Sequence, residues 1–178
     1  MRGLAMAIIA LTLASVLTAS SIDSENTVKW LTFEQAVEMA KKEKRPIFID
    51  VYTDWCGWCK VMDKNTFSDA HVAALLNEKF YPVKFDAEQK SDVVFNGTTF
   101  KFVANGNSGY HQLAAALLNN KLSYPTVVFL DENFGMLQPI SGFRKPEEFH
   151  PIAKFIGEGH YKKVKWEEWQ KNYQSPYK

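Results

Sequence analysis

Cys56 and Cys59 are the two cysteines of this 178-residue chain, and only Gly57 and Trp58 separate them. At that spacing one sulfur can attack a disulfide as a thiolate while the second lies close enough to displace it, which is reversible thiol–disulfide exchange. A crosslink that serves only as a staple gains stabilisation with the length of the loop it closes, and this loop is very short. The chemistry also asks for surroundings that favour a thiolate. The unpaired N–H groups and dipole at a helix N-terminus supply them, and a helix is expected from Cys56 through Lys64. Lys60 adds a cation nearby.

The elements that must hold this pair can be followed along the chain. Thr32-Phe33-Glu34-Gln35 fits a capping box, and the apolar spacing after it predicts a helix from Phe33 to about Lys44. Pro46 to Tyr52 reads as a buried central strand feeding the turn at Thr53 to Trp55, with Asp50 interrupting its apolar run. Ser68 is the expected N-cap of a second helix carrying Val72, Leu75, Leu76 and Phe80 on one face. Tyr81 to Asp86 is the next strand, and the helix–strand–helix–strand order points to α/β layering with a parallel pair.

From Ala87 to Leu122 the chain is elaborated. Asn96-Gly97 marks a hairpin within Val93 to Phe102, Asn105 to Gly109 reads as a loop, and Tyr110 to Asn119 as an apolar helix. Ser123-Tyr124-Pro125-Thr126 then leads to strands at Val127 to Leu130 and Met136 to Ile140, and a helix at Pro146 to Ile156. The aromatic, basic tail around Lys162 to Gln174 is expected to form a further helix on the domain.

At the other end, Arg2, the apolar run Leu4 to Leu17 and the small residues Ala19, Ser20 and Ser21 form the three-part pattern of a secretory signal peptide, cleaved between Ala19 and Ser21. An uncleaved anchor is the alternative, although the run is short of the ~20 residues a membrane span needs. The reading is therefore residues 1–20 as signal, 21–160 as one domain with an insertion at about 87–122, and 161–178 as a tail. The exported, periplasmic or secreted protein, of bacterial type, would have no stable membrane insertion. With 21 basic against 20 acidic side chains, there is no electrostatic reason to expect nucleic acid or an anionic membrane as partner.

The Trp-Cys-x-x-Cys-Lys turn between a buried strand and a helix, with a later proline ahead of the next strand, resembles the thioredoxin superfamily over roughly Trp30 to Ile156. The Asp54 to Lys60 run is most similar to exported bacterial members with a Gly-Trp dipeptide. The resemblance implies an α/β, thioredoxin-like three-layer fold: a central mixed sheet flanked by helices, with an inserted hairpin plus helix before the cis-Pro strand.

It also implies roles. Asp50 stands where thioredoxins bury an acid behind the cysteine helix; desolvation would raise its pKa and let it take the Cys59 proton, the alternative being a strand-end carboxylate bonded to a backbone amide. Lys84 matches the lysine beside that acid, or is an ordinary edge-strand lysine. Pro125 matches the cis-proline that sets Tyr124 backbone beside the sulfurs and pairs with client peptide by strand addition, the alternative being a trans proline opening a strand. Trp55 would shield the disulfide and touch clients, or pack in the core. Trp58 would be exposed for client contact.

The function expected is a disulfide oxidoreductase with no cofactor beyond the redox-active Cys56–Cys59 pair. Its partners would be client proteins with disulfides and an electron donor or acceptor. Neutral Gly57-Trp58, with no His to stabilise a thiolate, argues for the reducing direction. A disulfide oxidase or isomerase is the rival, as is a redox-inactive binding module using the 87–122 segment. His71 and His111 lack ligand spacing, so no metal is expected. Asn96-Gly97-Thr98 matches a glycosylation acceptor but doubles as the hairpin turn.

Overall fold

A computed structural model describes residues 27–177. The signal-peptide expectation lies outside these described residues. Among them, no helix is long and apolar enough to cross a membrane.

Helix α1 (Phe33–Lys42) starts on the expected capping box, with Gln35 N–H donating to Thr32 Oγ1 at 3.2 Å and Thr32 N–H to Gln35 Oε1 at 2.9 Å. Strand β1 (Ile47–Tyr52) follows, then α2 (Gly57–Asn65), α3 (Ala70–Lys79) and β2 (Tyr81–Asp86). Asp69, not Ser68, caps α3: its carboxylate Oδ1 accepts from both His71 and Val72 N–H at 3.0 Å, while the Ser68 hydroxyl is engaged elsewhere. Ser68 instead donates back to the Lys64 carbonyl and helps close α2.

The elaborated segment contains two hairpins. The first pairs β3 (Val93–Phe95) with β4 (Thr98–Phe100), and Asn96 and Gly97 both hold positive φ in its turn, as a two-residue hairpin requires. The second pairs β5 (Phe102–Asn105) with β6 (Ser108–His111), where a loop running into a helix was expected. Gly109 reads as a loop residue in sequence, yet it pairs with Ala104 in β6, and glycine fits there because a Cβ would stand 2.2 Å from Phe102 Cζ.

Helix α4 is accordingly shorter than expected, Gln112–Leu117, and begins on His111, whose Nδ1 accepts from Leu113 N–H. Strands β7 (Thr126–Leu130) and β8 (Met136–Ser141) and helix α5 (Pro146–Gly157) complete the domain. The tail folds as expected into a short helix, α6 (Trp166–Gln170), whose Trp166 and Trp169 stack on Phe155 of α5.

The sheet order is β2-β1-β7-β8, parallel between β1 and β2 and antiparallel elsewhere. Because strand side chains alternate, β1 serves two cores. Ile47, Ile49 and Val51 join Phe33, Val37 and the α4 residues Leu113 and Leu117 on one side. Phe48 joins Met62, Leu76, Phe129 and Phe149 on the other. The second half of the insertion is thus a core helix rather than an appendage.

Candidate active site

Helix α2 opens directly off the end of β1. Cys56 is its N-cap, with extended backbone, one position before the first helical residue. Its sulfur accepts the Cys59 N–H at 3.1 Å, so an otherwise unpaired donor of the first turn points at the atom that would carry the negative charge. Cys56 and Cys59 are joined as a disulfide. Both cysteines are buried, Cys56 keeping 5% of its residue surface and Cys59 2%. Gly57 leaves open space where a Cβ would stand, baring backbone beside Cys56.

Trp55 and Trp58 are large exposed side chains, 66% and 62% accessible, on either side of Cys56. Trp55 is not a core residue. Its ring meets Tyr124 edge-on at 5.8 Å, and its indole N–H donates to Glu88 Oε1 at 3.0 Å. Trp58 leans on Phe143, in the turn between β8 and α5, at 5.5 Å. The Tyr124–Pro125 bond is cis.

Beneath α2 lies a buried charge cluster. Asp50 alternates to the same side of β1 as Phe48, the side that α2 covers. Lys84 is its register partner on β2, and the Lys84 ammonium donates to Asp50 Oδ2 at 2.5 Å. The same ammonium donates to Asp63 of α2. Cys59 and Asp63 are four residues apart and so share a face of that helix. The ammonium also sits 4.8 Å from the ring centre of Tyr52 and 5.3 Å from that of Trp30.

Asp50 is 1% accessible, and burial pushes its carboxyl from the ordinary 3.8 to about 6 even though Lys84 pulls the other way. Burial works to lower Lys84, but its two carboxylate partners outweigh that and hold it above its usual value. Asp50 Oδ1 accepts no hydrogen bond among the described residues. Lys84 therefore combines both sequence readings, an edge-strand lysine and the partner of the buried acid.

Of the expected residues, Cys56 and Cys59 form the disulfide and Gly57 stands between them, Trp55 meets Tyr124, which precedes the cis Pro125, Trp58 turns toward Phe143, and Asp50 and Lys84 are tied to α2 through Asp63. Sequence reasoning missed Asp63, Glu88 and Phe143. Asp63 carried a usable signal, its four-residue spacing from Cys59; Glu88 and Phe143 reach the site only through tertiary folding. The two histidines stand in structural positions: His111 caps α4, and His71 packs edge-on against Tyr177.

Fold and site together define the class, a thioredoxin-fold protein with a Cys-x-x-Cys disulfide. Residues 18–138 match the family described as Thioredox_DsbH (protein of unknown function, DUF255), and the chain belongs to that family. Among curated relatives, Spermatogenesis-associated protein 20 of Rattus norvegicus is 34% identical over 88 residues, 49% of this chain and 11% of that protein. The thiol:disulfide interchange protein DsbD of Yersinia enterocolitica is 30% identical over 116 residues, 60% of this chain and 16% of that protein. The chain thus spans only a small part of the curated relatives it matches. The solved structure of a DsbH oxidoreductase shares the fold at a TM-score of 0.55 and 19% identity, covering 80% of this chain and 92% of that one. A thioredoxin from Thermus thermophilus shares it at 0.54 and 21% identity, covering 76% and 96%.

Proposed function

We propose that this protein reduces disulfides of client proteins in an exported compartment. The observation that carries the reading is Cys56 Sγ at the start of α2, accepting the Cys59 N–H, above a buried carboxyl with one oxygen free of hydrogen bonds. In the reduced protein the Cys56 thiolate attacks one sulfur of a client disulfide. The client's other sulfur leaves as a thiolate, and a mixed disulfide remains. Cys59 then gives its proton to Asp50 and attacks Cys56 Sγ, which expels the second client sulfur. The client gains two electrons and becomes a dithiol, and the Cys56–Cys59 disulfide forms. A second dithiol protein, acting as electron donor, resets the pair by the reverse exchange.

The reducing direction is supported by the neutral Gly57-Trp58 dipeptide, which adds no cation to hold the thiolate form. The exported compartment is supported by Arg2, the apolar Leu4 to Leu17 run and the small residues after it.

Insulin reduction tests the chemistry. Cys56→Ser is expected to abolish it, and Cys59→Ser to accumulate the mixed disulfide with insulin; full activity in Cys56→Ser would overturn the assignment. The reduction potential of the pair tests direction. It is expected near the roughly −270 mV of a reducing thioredoxin, and a value near about −120 mV would make the protein an oxidant instead.

A further inference from the structure

The chain has four histidines. His111 caps α4, and each of the other three meets an aromatic ring of the tail. His160 stands 5.5 Å from Trp169, and His71 stands 5.5 Å from Tyr177. His150 meets two rings, Tyr173 at 6.1 Å and Tyr177 at 5.8 Å.

The tail has little else to hold it. From Trp166 to Tyr177 no residue is fully buried, and α6, at five residues, is too short to persist alone. Its backbone hydrogen bonds run to Lys165 or stay within the tail. Among the described residues, two tyrosine hydroxyls make its only hydrogen bonds to the rest of the domain. Tyr173 Oη lies 2.8 Å from His150 Nδ1, and the Tyr177 hydroxyl donates to Asp69 Oδ1 at 2.7 Å.

His150 is the titratable half of the first tie, and it is buried on α5. His71 and Asp69 face it from α3 and its cap, Tyr173 and Tyr177 from the tail, and Lys154 and Glu158 from its own helix and cap. Burial, then Lys154 and His71, hold the imidazole below the ordinary 6.5, against the pull of Asp69 and Glu158. Both carboxylates are already engaged: Glu158 with Lys154 and His160, Asp69 with two α3 N–H groups and Tyr177. A neutral ring can accept the Tyr173 hydroxyl at Nδ1, whereas an imidazolium carries a proton there.

We infer that the tail from Trp166 to Tyr177 is a strap that neutral His150 holds closed and that acid releases. Opening it hydrates the imidazolium, so the open form binds the proton more tightly than the closed one. Closure is therefore fully favoured above about 6.5 and weakens as the pH falls below that value. Release would bare Phe155 and remove one wall of the apolar cleft, about 370 Å³, that Trp166 shares with Leu137, Ile140, Ile152 and Ile156. The strap needs neither cysteine, so it stands or falls apart from the disulfide-exchange reading.

Hydrogen–deuterium exchange of the whole chain at pH 7.5 and 5.0, corrected for the intrinsic pH dependence of amide exchange, tests the strap. The amides of Trp169, Asn172 and Tyr173, bonded within the tail, are expected to exchange faster at pH 5.0. The gain is at most about 30-fold, the limit if only the open form takes the proton. Amides of β1 and α3 should keep their protection. In His150→Gln, whose side chain stays neutral, the tail should exchange equally at both pH values. In the unsubstituted protein the His150 ring, followed by NMR, should titrate below its ordinary range. Equal tail exchange at both pH values in the unsubstituted protein would overturn the inference. So would an acceleration that survives in His150→Gln, or a His150 ring that titrates at or above its ordinary value.

Discussion

The two faces of the central sheet are built to different ends. Against α1 and α4 the sheet presents Ile47, Ile49, Val51, Val83, Phe85, Val128 and Leu130, a wholly apolar layer. Against α2, α3 and α5 the same strands present Phe48, Val127 and Phe129, but there Asp50 is buried with Lys84, and Asp63 of α2 shares the ammonium. Burying an ion pair gives little or no net stability, because desolvation offsets attraction. The first face therefore carries stability, and the second gives some of it up to keep a buried carboxyl under the cysteine helix.

The largest effect should come from the apolar face. Phe33 is buried against Phe85 and Phe95, and Phe33→Ala is expected to cost about 3–5 kcal/mol in denaturant unfolding. The rate of insulin reduction per folded molecule should hardly change. A comparable loss of rate would mean that the two faces are not separable.

Asp50→Asn should do the opposite. The folded state binds the Asp50 proton more tightly than the unfolded chain, so stability falls as pH rises from about 3.8 to about 6 and stays lowered above that. Removing the charge is expected to raise stability at pH 7 by up to about 3 kcal/mol, the bound set by that pKa gap. It should slow release of the mixed disulfide by at least about 10²-fold. In the unsubstituted protein that release should rise with pH through about 6 and then level off, and the inflection should vanish in the variant. Stopped-flow measurements across pH 4.5–8 check both expectations. Lower stability in Asp50→Asn would show that the buried carboxylate is a net stabiliser here.

Asp63→Asn is the finest probe of the site face. The Asp63 charge helps raise the Asp50 pKa, and it competes for Lys84. Without it Lys84 belongs to Asp50 alone, so the inflection should move below about 6. The shift should be less than about one pH unit, since Asp63 acts across the ammonium rather than by contact. An upward shift would show that Asp63 mainly positions Lys84.

Much of this was written locally. The capping box of α1, the Asn96-Gly97 turn and the Cys56 helix start all depend on neighbours within a few residues, and each stands where the pattern placed it. The second hairpin did not follow from pattern. Asn105 to Gly109 is loop-like in composition, but only Gly106 and Asn107 form the turn; Asn105 pairs with Ser108 and Ala104 with Gly109, where a glycine leaves room for the Phe102 ring. Asp69 displaced Ser68 as a cap because the Ser68 hydroxyl is spent on the Lys64 carbonyl at the end of α2.

By itself, the sequence determined the chemistry available: two thiols at exchange spacing, an acid in a strand and a proline before another, since residue type and short spacing are properties of the chain alone. The tertiary structure decided how those groups are tuned and what they face. β1–β2 register set Lys84 beside Asp50, α2 brought Asp63 to the same ammonium, and the chain from Glu88 to Leu122 carried Glu88 and a hairpin to the rim at Trp55. Burial and charge–charge energies depend on distances in space, and residues far apart along the chain acquire those distances only when it folds.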